Sequence, residues 1–413
     1  MHSIHIFAFP ELVCYIVSFL PTAHDRSHLS QCCSYMHELV LPMLYEDVAI
    51  SFTSVSVIVT QLIARPNLAR RCHTLWVKDP HYSGEIDYVR FSSLCSDLGS
   101  LLCILGKYGR LKSFVWHMPT VYASSLYDPV TVWNSLRCAA SGLETIDIFG
   151  PYAPDFQLGP TMLKGDYSTL RSLHLQLQYD HWHGTTLAES IKNMQGLEEL
   201  YLDGIDESMA LSFSLPHLRL LSLSSGTSFS TQGILELCAD LPKLRGLSMH
   251  GLCPGASLGV TSNLRCLEIH LSPSSFNGFL KILPEILQFT PSLIELGIYA
   301  SSQWVPCFFL RFWTWHRIVC LARINVSSLK HALSLVALYL PDLDKNTVHL
   351  STTIMDSSKD WPSQLRFIVC DKGRPPWTVA MGVKIVQRAP ADYNWTKKTI
   401  IDHATGVSQM LHC

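Results

Sequence analysis

Leu197-Glu198-Glu199-Leu200-Tyr201-Leu202-Asp203 sets apolar residues at i, i+3 and i+5. Successive side chains of a strand point to opposite faces, so Leu200 and Leu202 share one face while Glu199, Tyr201 and Asp203 share the other. The same triplet opens at Cys72 (Leu75, Val77), Leu111 (Phe114, Trp116), Leu143 (Ile146, Ile148), Leu170 (Leu173, Leu175) and Leu218 (Leu221, Leu223). It continues at Leu244 (Leu247, Met249), Leu264 (Leu267, Ile269), Leu293 (Leu296, Ile298), Leu335 (Leu338, Leu340) and Leu365 (Ile368, Cys370), which makes eleven copies. Their spacing ranges from 20 residues (Leu244 to Leu264) to 42 (Leu293 to Leu335).

Several of the intervening stretches carry helical spacing. Leu94, Leu98, Leu101 and Leu105 form one stripe, Thr231 to Leu241 stops at Pro242, and Phe276 to Phe289 stops at Thr290-Pro291. A single strand, loop and helix cannot bury its own apolar face, but stacked copies share a continuous core. The chain resembles the leucine-rich-repeat family in this triplet. The ninth position, Asn or Cys in that family, is mixed here (Pro151, Gln178, Ile205, Gly226, Leu252, Ser272), so uneven curvature is expected. The implied fold is α/β, an irregular leucine-rich-repeat solenoid with a curved parallel sheet and outer helices.

Composition narrows the function. Of 413 residues 48% are apolar, enough for a large core, and only 15% are charged. With 31 Lys+Arg against 33 Asp+Glu the net charge is −2, so no basic field exists to grip a nucleic-acid backbone. Arg311, Arg317 and Arg323 interrupt the best membrane window, Val305 to Val326, and no uncharged apolar window of spanning length is expected. Leu12 to Leu20 is nearly all apolar but lacks a cationic flank, which argues against an export signal. Fourteen cysteines without a C-x-x-C pair read as buried thiols in a reducing compartment, the cytoplasm or nucleus.

Catalytic and metal signatures are missing. His181-Trp182-His183 supplies two neighbouring imidazoles without the further ligands that a structural zinc requires. Phosphate-binding glycine loops and the G-x-S-x-G turn do not occur. The aromatic cluster Trp304, Phe308, Phe309, Phe312, Trp313 and Trp315 reads as core packing of one long repeat. Neither enzymatic activity nor any cofactor is expected.

The first fifty residues follow a different grammar. Pro10 suits a first helical turn, and Glu11 suits the positive helix end. Leu12, Ile16, Phe19 and Leu20 form one stripe that Pro21-Thr22 closes, and a second helix is expected from Ser27 to Leu39 with Leu29, Cys32, Cys33 and Met36 on one side. Phe9-Pro10-Glu11-Leu12 and the helices after it resemble the F-box family, a three-helix module that opens Leu-Pro-x-Glu-Leu. Leu41-Pro42-Met43-Leu44-Tyr45-Glu46-Asp47-Val48 is similar to the junction common in fungal members. Phe9, Gln31 and Met36 depart from the family pattern.

The F-box resemblance implies docking to a small SKP-type linker subunit, through Pro10, Leu12, Ile16 and Leu20 of the first helix and Leu29 and Cys33 of the second. Joined to repeats, it implies the substrate receptor of an SCF-type cullin ubiquitin ligase. The alternative is an interaction scaffold whose opening helices merely cap the repeats. The two differ in surplus: a cap needs one apolar face, a docking module needs a second. The expected organisation is a helical module over residues 1–50, repeats over 51–370 and a closing segment over 371–413, strand-rich from Trp377 to Gln387.

Ten strand intervals of about 4.8 Å span an arc of roughly 48 Å, the scale of a protein partner. Alternation directs Asp147, Ser172, His174, Gln176, Glu199, Tyr201, Asp203, Ser248, His250, Glu268, His270, Glu295 and Tyr299 away from the leucine core. From these, His174, Glu199, Tyr201, Asp203, His250, Glu268, His270, Glu295 and Tyr299 are the candidate target contacts. Acidic and aromatic groups prevail, which suits a basic segment on the target.

Overall fold

The computed structural model describes residues 10–20, 23–77, 88–118, 130–150, 163, 165–177, 189–203, 210, 213–224, 229–250, 252–253, 264–271, 287, 290–300, 337–339, 367–370 and 384–387. Backbone contacts divide the chain into two compact units, Met1–Tyr179 and Asp180–Cys413.

The first unit begins with three helices, α1 (Pro10–Ser18), α2 (Ala23–Ser30) and α3 (Ser34–Leu44). Pro10 opens α1, where its missing N–H costs no hydrogen bond. The helix expected to run from Ser27 to Leu39 is instead two, broken at Gln31-Cys32-Cys33. The break is chemical: Cys33 is extended (φ −163°, ψ 165°), and its Sγ accepts the Met36 N–H at 3.5 Å, which caps α3. Val13, Val17, Met36 and Val40 form a small core, with Leu20, Leu29, Tyr35, Leu39, Met43 and Leu44 packed around it.

Next come β1 (Asp47–Ile50), α4 (Val55–Ala64), α5 (Pro66–Ala69), β2 (Thr74–Val77) and α6 (Tyr88–Lys107). They are followed by β3 (Ser113–His117), α7 (Val130–Ala139), β4 (Thr145–Gly150) and β5 (Ser172–Leu177). Each strand pairs in parallel with the next, β1 through β5. The sheet therefore starts before residue 51, inside the segment read as purely helical. Tyr45 opens that copy, with Val48 and Ile50 buried at i+3 and i+5, so a leucine-led search passes over it. Leu75, Val77, Phe114, Trp116, Ile146, Ile148, Leu173 and Leu175 are all sealed from water. The Trp116 ring meets Trp133 of α7 edge-on at 5.8 Å, and Leu98, Leu101 and Leu105 of α6 are equally buried.

By length and composition α6 could cross a membrane, although Arg90 and Asp97 keep it from being an uncharged apolar window. Its apolar stripe lies inside the first unit, the behaviour of a core helix.

The second unit contains β6 (Glu199–Asp203), β7 (Leu220–Ser224), β8 (Phe229–Ser230), α8 (Thr231–Asp240), β9 (Gly246–His250) and β10 (Leu252–Cys253). It continues with β11 (Cys266–Leu271), β12 (Glu295–Ala300), β13 (Ala337–Tyr339), β14 (Phe367–Cys370) and β15 (Lys384–Gln387). The sheet order is β6, β7, β9, β11, β12, β13, β14, β15, while β8 and β10 make a separate parallel pair. Leu200, Leu202, Leu221, Leu223, Leu247, Met249, Leu267, Ile269 and Leu296 are its buried leucine-face residues.

Each of the eleven triplets places its i+3 residue on a parallel strand, and the fold is an α/β parallel-sheet fold of leucine-rich-repeat type. Among the described strands one entry pattern recurs. The carbonyl of Glu46 accepts the N–H groups of His73 and Thr74, that of His73 those of Lys112 and Ser113, and that of Lys112 those of Glu144 and Thr145. In the second unit Arg219 and Arg245 repeat the pattern toward Arg245–Gly246 and Arg265–Cys266. In these copies one carbonyl registers the new strand on the last, whatever the length of chain between them.

Candidate functional site

On α1 the 3.6-residue period splits the apolar residues into two faces. Val13 and Val17 are 3% and 1% exposed, sealed against Met36 and Val40. Leu12 (42%), Ile16 (47%), Tyr15 and Phe19 stay open, and the Tyr15 and Phe19 rings meet edge-on at 4.8 Å. A helix that has already closed its own core keeps a second apolar face, which is the surplus that separates a docking module from a cap.

The six expected linker contacts do not behave alike. Pro10, Leu12, Ile16 and Cys33 are exposed, whereas Leu20 and Leu29 are half-buried against the module's own core. The turn after α1 brings Leu20 back onto the Val13/Val17 side. Tyr15 and Phe19 stand beside Leu12 and Ile16 in its place. Phe19 belongs to the stripe already read from the sequence, and the same i+3 step from Leu12 reaches Tyr15.

The other candidate surface is the sheet face opposite the leucine core. In the first unit Val115, Asp147 and His174 share one rung position across β3, β4 and β5. Asp147 Oδ1 lies 2.7 Å from His174 Nδ1, an ion pair when the imidazole is protonated. The Phe149 ring meets His117 at a tilt (ring centroids 4.5 Å) and His174 edge-on (4.6 Å). Ser172 and His174 are buried, not open to solvent as strand alternation suggested, and the Phe149 ring packs against that of His174.

The second unit shows the same departure. Tyr201 is buried with Leu220 and Cys266 in an apolar cluster on that face. Leu220 and Cys266 sit at i+2 of their triplets, where the pattern places polar residues, and Ser248 is buried as well. Glu199 is half-buried. Backbone register brings other candidates onto shared rungs: Glu199 with Leu220, Asp203 with Ser224, Ser248 with Glu268, His250 with His270 and His270 with Tyr299, while Glu295 pairs with Cys266.

A charge ladder at strand entry escaped the sequence reading. Lys112 Nζ donates to Glu144 Oε1 at 2.7 Å, Glu46 Oε1 approaches His73 Nδ1 at 3.3 Å, and Arg219 approaches Glu198 at 3.6 Å. The signal was the charged residue that follows most opening leucines, as in Leu111-Lys112, Leu143-Glu144 and Leu197-Glu198.

His181-Trp182-His183, the Trp304 to Trp315 cluster and nearly all of Phe276 to Phe289 lie outside the described residues. Among the described residues no three His, Cys, Asp or Glu side chains gather as a metal would need.

No family model matches the chain, and no curated protein matches it. Solved structures do. The chain is similar to a structure of the yeast Rad7 and Elc1 complex, at 13% identity and a TM-score of 0.40 over 94% of this chain and 98% of that one. It is similar to an internalin from Listeria monocytogenes at 11% identity and a TM-score of 0.32, over 89% and 94% of the two chains. The mouse RP105/MD-1 complex gives 16% identity and a TM-score of 0.33, over 84% and 66%.

Proposed function

We propose that this chain is the substrate-recognition subunit of an SCF-type cullin ubiquitin ligase, acting in the cytoplasm or nucleus. The opening helices dock a SKP-type linker, which in turn joins the cullin scaffold, and the repeat sheets hold a protein target. The observation that carries the reading is the second apolar face of α1, with Leu12, Tyr15, Ile16 and Phe19 open beside a core that Val13 and Val17 have already closed. The F-box-like opening Pro10-Glu11-Leu12 stands on that same helix.

In this role the chain needs no nucleophile. It lowers the barrier for partner subunits by holding a target lysine near a charged conjugating enzyme. The acidic residues on the strand rungs, Glu199, Asp203, Glu268 and Glu295, support a target segment of positive charge.

Co-purification from cells tests the docking step, with the wild-type chain compared against Leu12→Asp/Ile16→Asp. The linker is recovered with the wild type and lost with the variant. Recovery of no linker with either chain overturns the ligase reading in favour of a scaffold. Charge reversal at Glu199 and Asp203 is expected to release the target and keep the linker; a target retained by that variant removes the basic-segment idea.

A further inference from the structure

Helices α6 and α7 carry matching stripes. Gly99, Cys103 and Gly106 stand at i, i+4 and i+7 on α6, and Thr131, Ser135 and Cys138 repeat that spacing on α7. A Cβ at Gly106 would lie 2.5 Å from the Cys138 carbonyl oxygen, and one at Gly99 would lie 2.9 Å from Ser135 Oγ. The backbones therefore touch, and the glycines fix the distance between the helices. Between them Cys103 Sγ and Cys138 Sγ are 3.5 Å apart, and both residues are exposed.

We propose that Cys103 and Cys138 form a reversible dithiol and disulfide site that staples α6 to α7, with a low-molecular-weight disulfide such as glutathione disulfide as its oxidant. The thiolate of one cysteine attacks a glutathione disulfide sulfur. A protein–glutathione bond forms, and one glutathione thiolate leaves and takes up a proton. The second cysteine, losing its proton, attacks the protein sulfur of the mixed disulfide. The Cys103–Cys138 bond forms and the second glutathione leaves. Two protein thiols lose two protons and two electrons, and one glutathione disulfide becomes two glutathiones.

Exposure admits the oxidant, and contact between the sulfurs makes the second attack intramolecular. Buried Cys72, Cys95 and Cys266 lack the first condition. Hydrogen bonding with Cys103 is the main cause holding the Cys138 thiol above its usual value of 9.0, so exchange speeds up as pH rises. The site does not depend on the ligase reading, since both cysteines lie away from α1.

The test is a peptide map of the full-length protein equilibrated in glutathione redox buffers and quenched with acid. Trypsin gives peptides 91–107 and 138–164, and these are expected to appear linked, two hydrogens lighter than their sum, with fragmentation placing the bond at Cys103 and not at Cys95. Cys138→Ser is expected to leave a lasting glutathione adduct on Cys103. Persistent glutathione on Cys103 or Cys138 of the wild type overturns the proposal. So does a pair that stays reduced while Cys32 and Cys33 oxidise.

Discussion

Asp147 and His174 face each other across β4 and β5 in direct register, with carboxylate and imidazole 2.7 Å apart on the sheet face opposite the leucine core. Burial makes this pair a structural element as well as a surface feature. Removing either partner strands the other, so Asp147→Ala and His174→Ala are each expected to cost about 2 kcal/mol. The double variant should cost less than their sum. Urea unfolding of all four proteins measures the coupling, and strict additivity would show that the two groups do not stabilise each other.

On α1 the two apolar faces should separate in stability. Val17→Ala removes buried methyl groups and is expected to cost about 2 kcal/mol, whereas Ile16→Asp on the open face should stay within about 0.5 kcal/mol. Denaturant titration of the isolated chain reads both. A large loss from Ile16→Asp would mean that this face is already used within the chain.

Gly106→Ala sets two effects against each other. Alanine favours a helix over glycine by about 1 kcal/mol, yet the new methyl meets the Cys138 carbonyl at 2.5 Å, where backbone must move. Overpacking of this kind costs about 1–3 kcal/mol, so the substitution is expected to destabilise. A raised melting temperature would contradict the close approach of α6 and α7.

Cys72 makes stability depend on alkaline pH. Burial, aided by the carboxylate of Asp47, pushes its thiol from 9.0 up to about 12. Above pH 9 the unfolded thiol ionises while the folded one keeps its proton, so its stabilisation is complete below pH 9 and fades as pH rises toward 12. The slope is about 1.4 kcal/mol per pH unit. Stability compared at pH 8.5 and 10.5 should fall more steeply in the wild type than in Cys72→Ala, and equal slopes would exclude the effect.

The repeated Leu-x-x-Leu-x-Leu triplet determined by itself that this chain builds strands with one buried face, and the helical stretches between copies made those strands stack in parallel. On α1 the 3.6-residue period separates Leu12 and Ile16 from Val13 and Val17, but packing against Met36 and Val40 decided which face stays open. What local pattern could not decide were properties of neighbours far apart in the chain. Leu29 turned inward because α1 and α3 meet beside it, and His174 and Tyr201 became buried because Phe149, Leu220 and Cys266 arrive from other strands of the sheet. Cys103 and Cys138 are 35 residues apart in sequence, and only the glycine-lined contact of two helices brings their sulfurs together. Periodicity fixes which face a residue occupies, whereas burial and contact depend on what the rest of the chain places against that face.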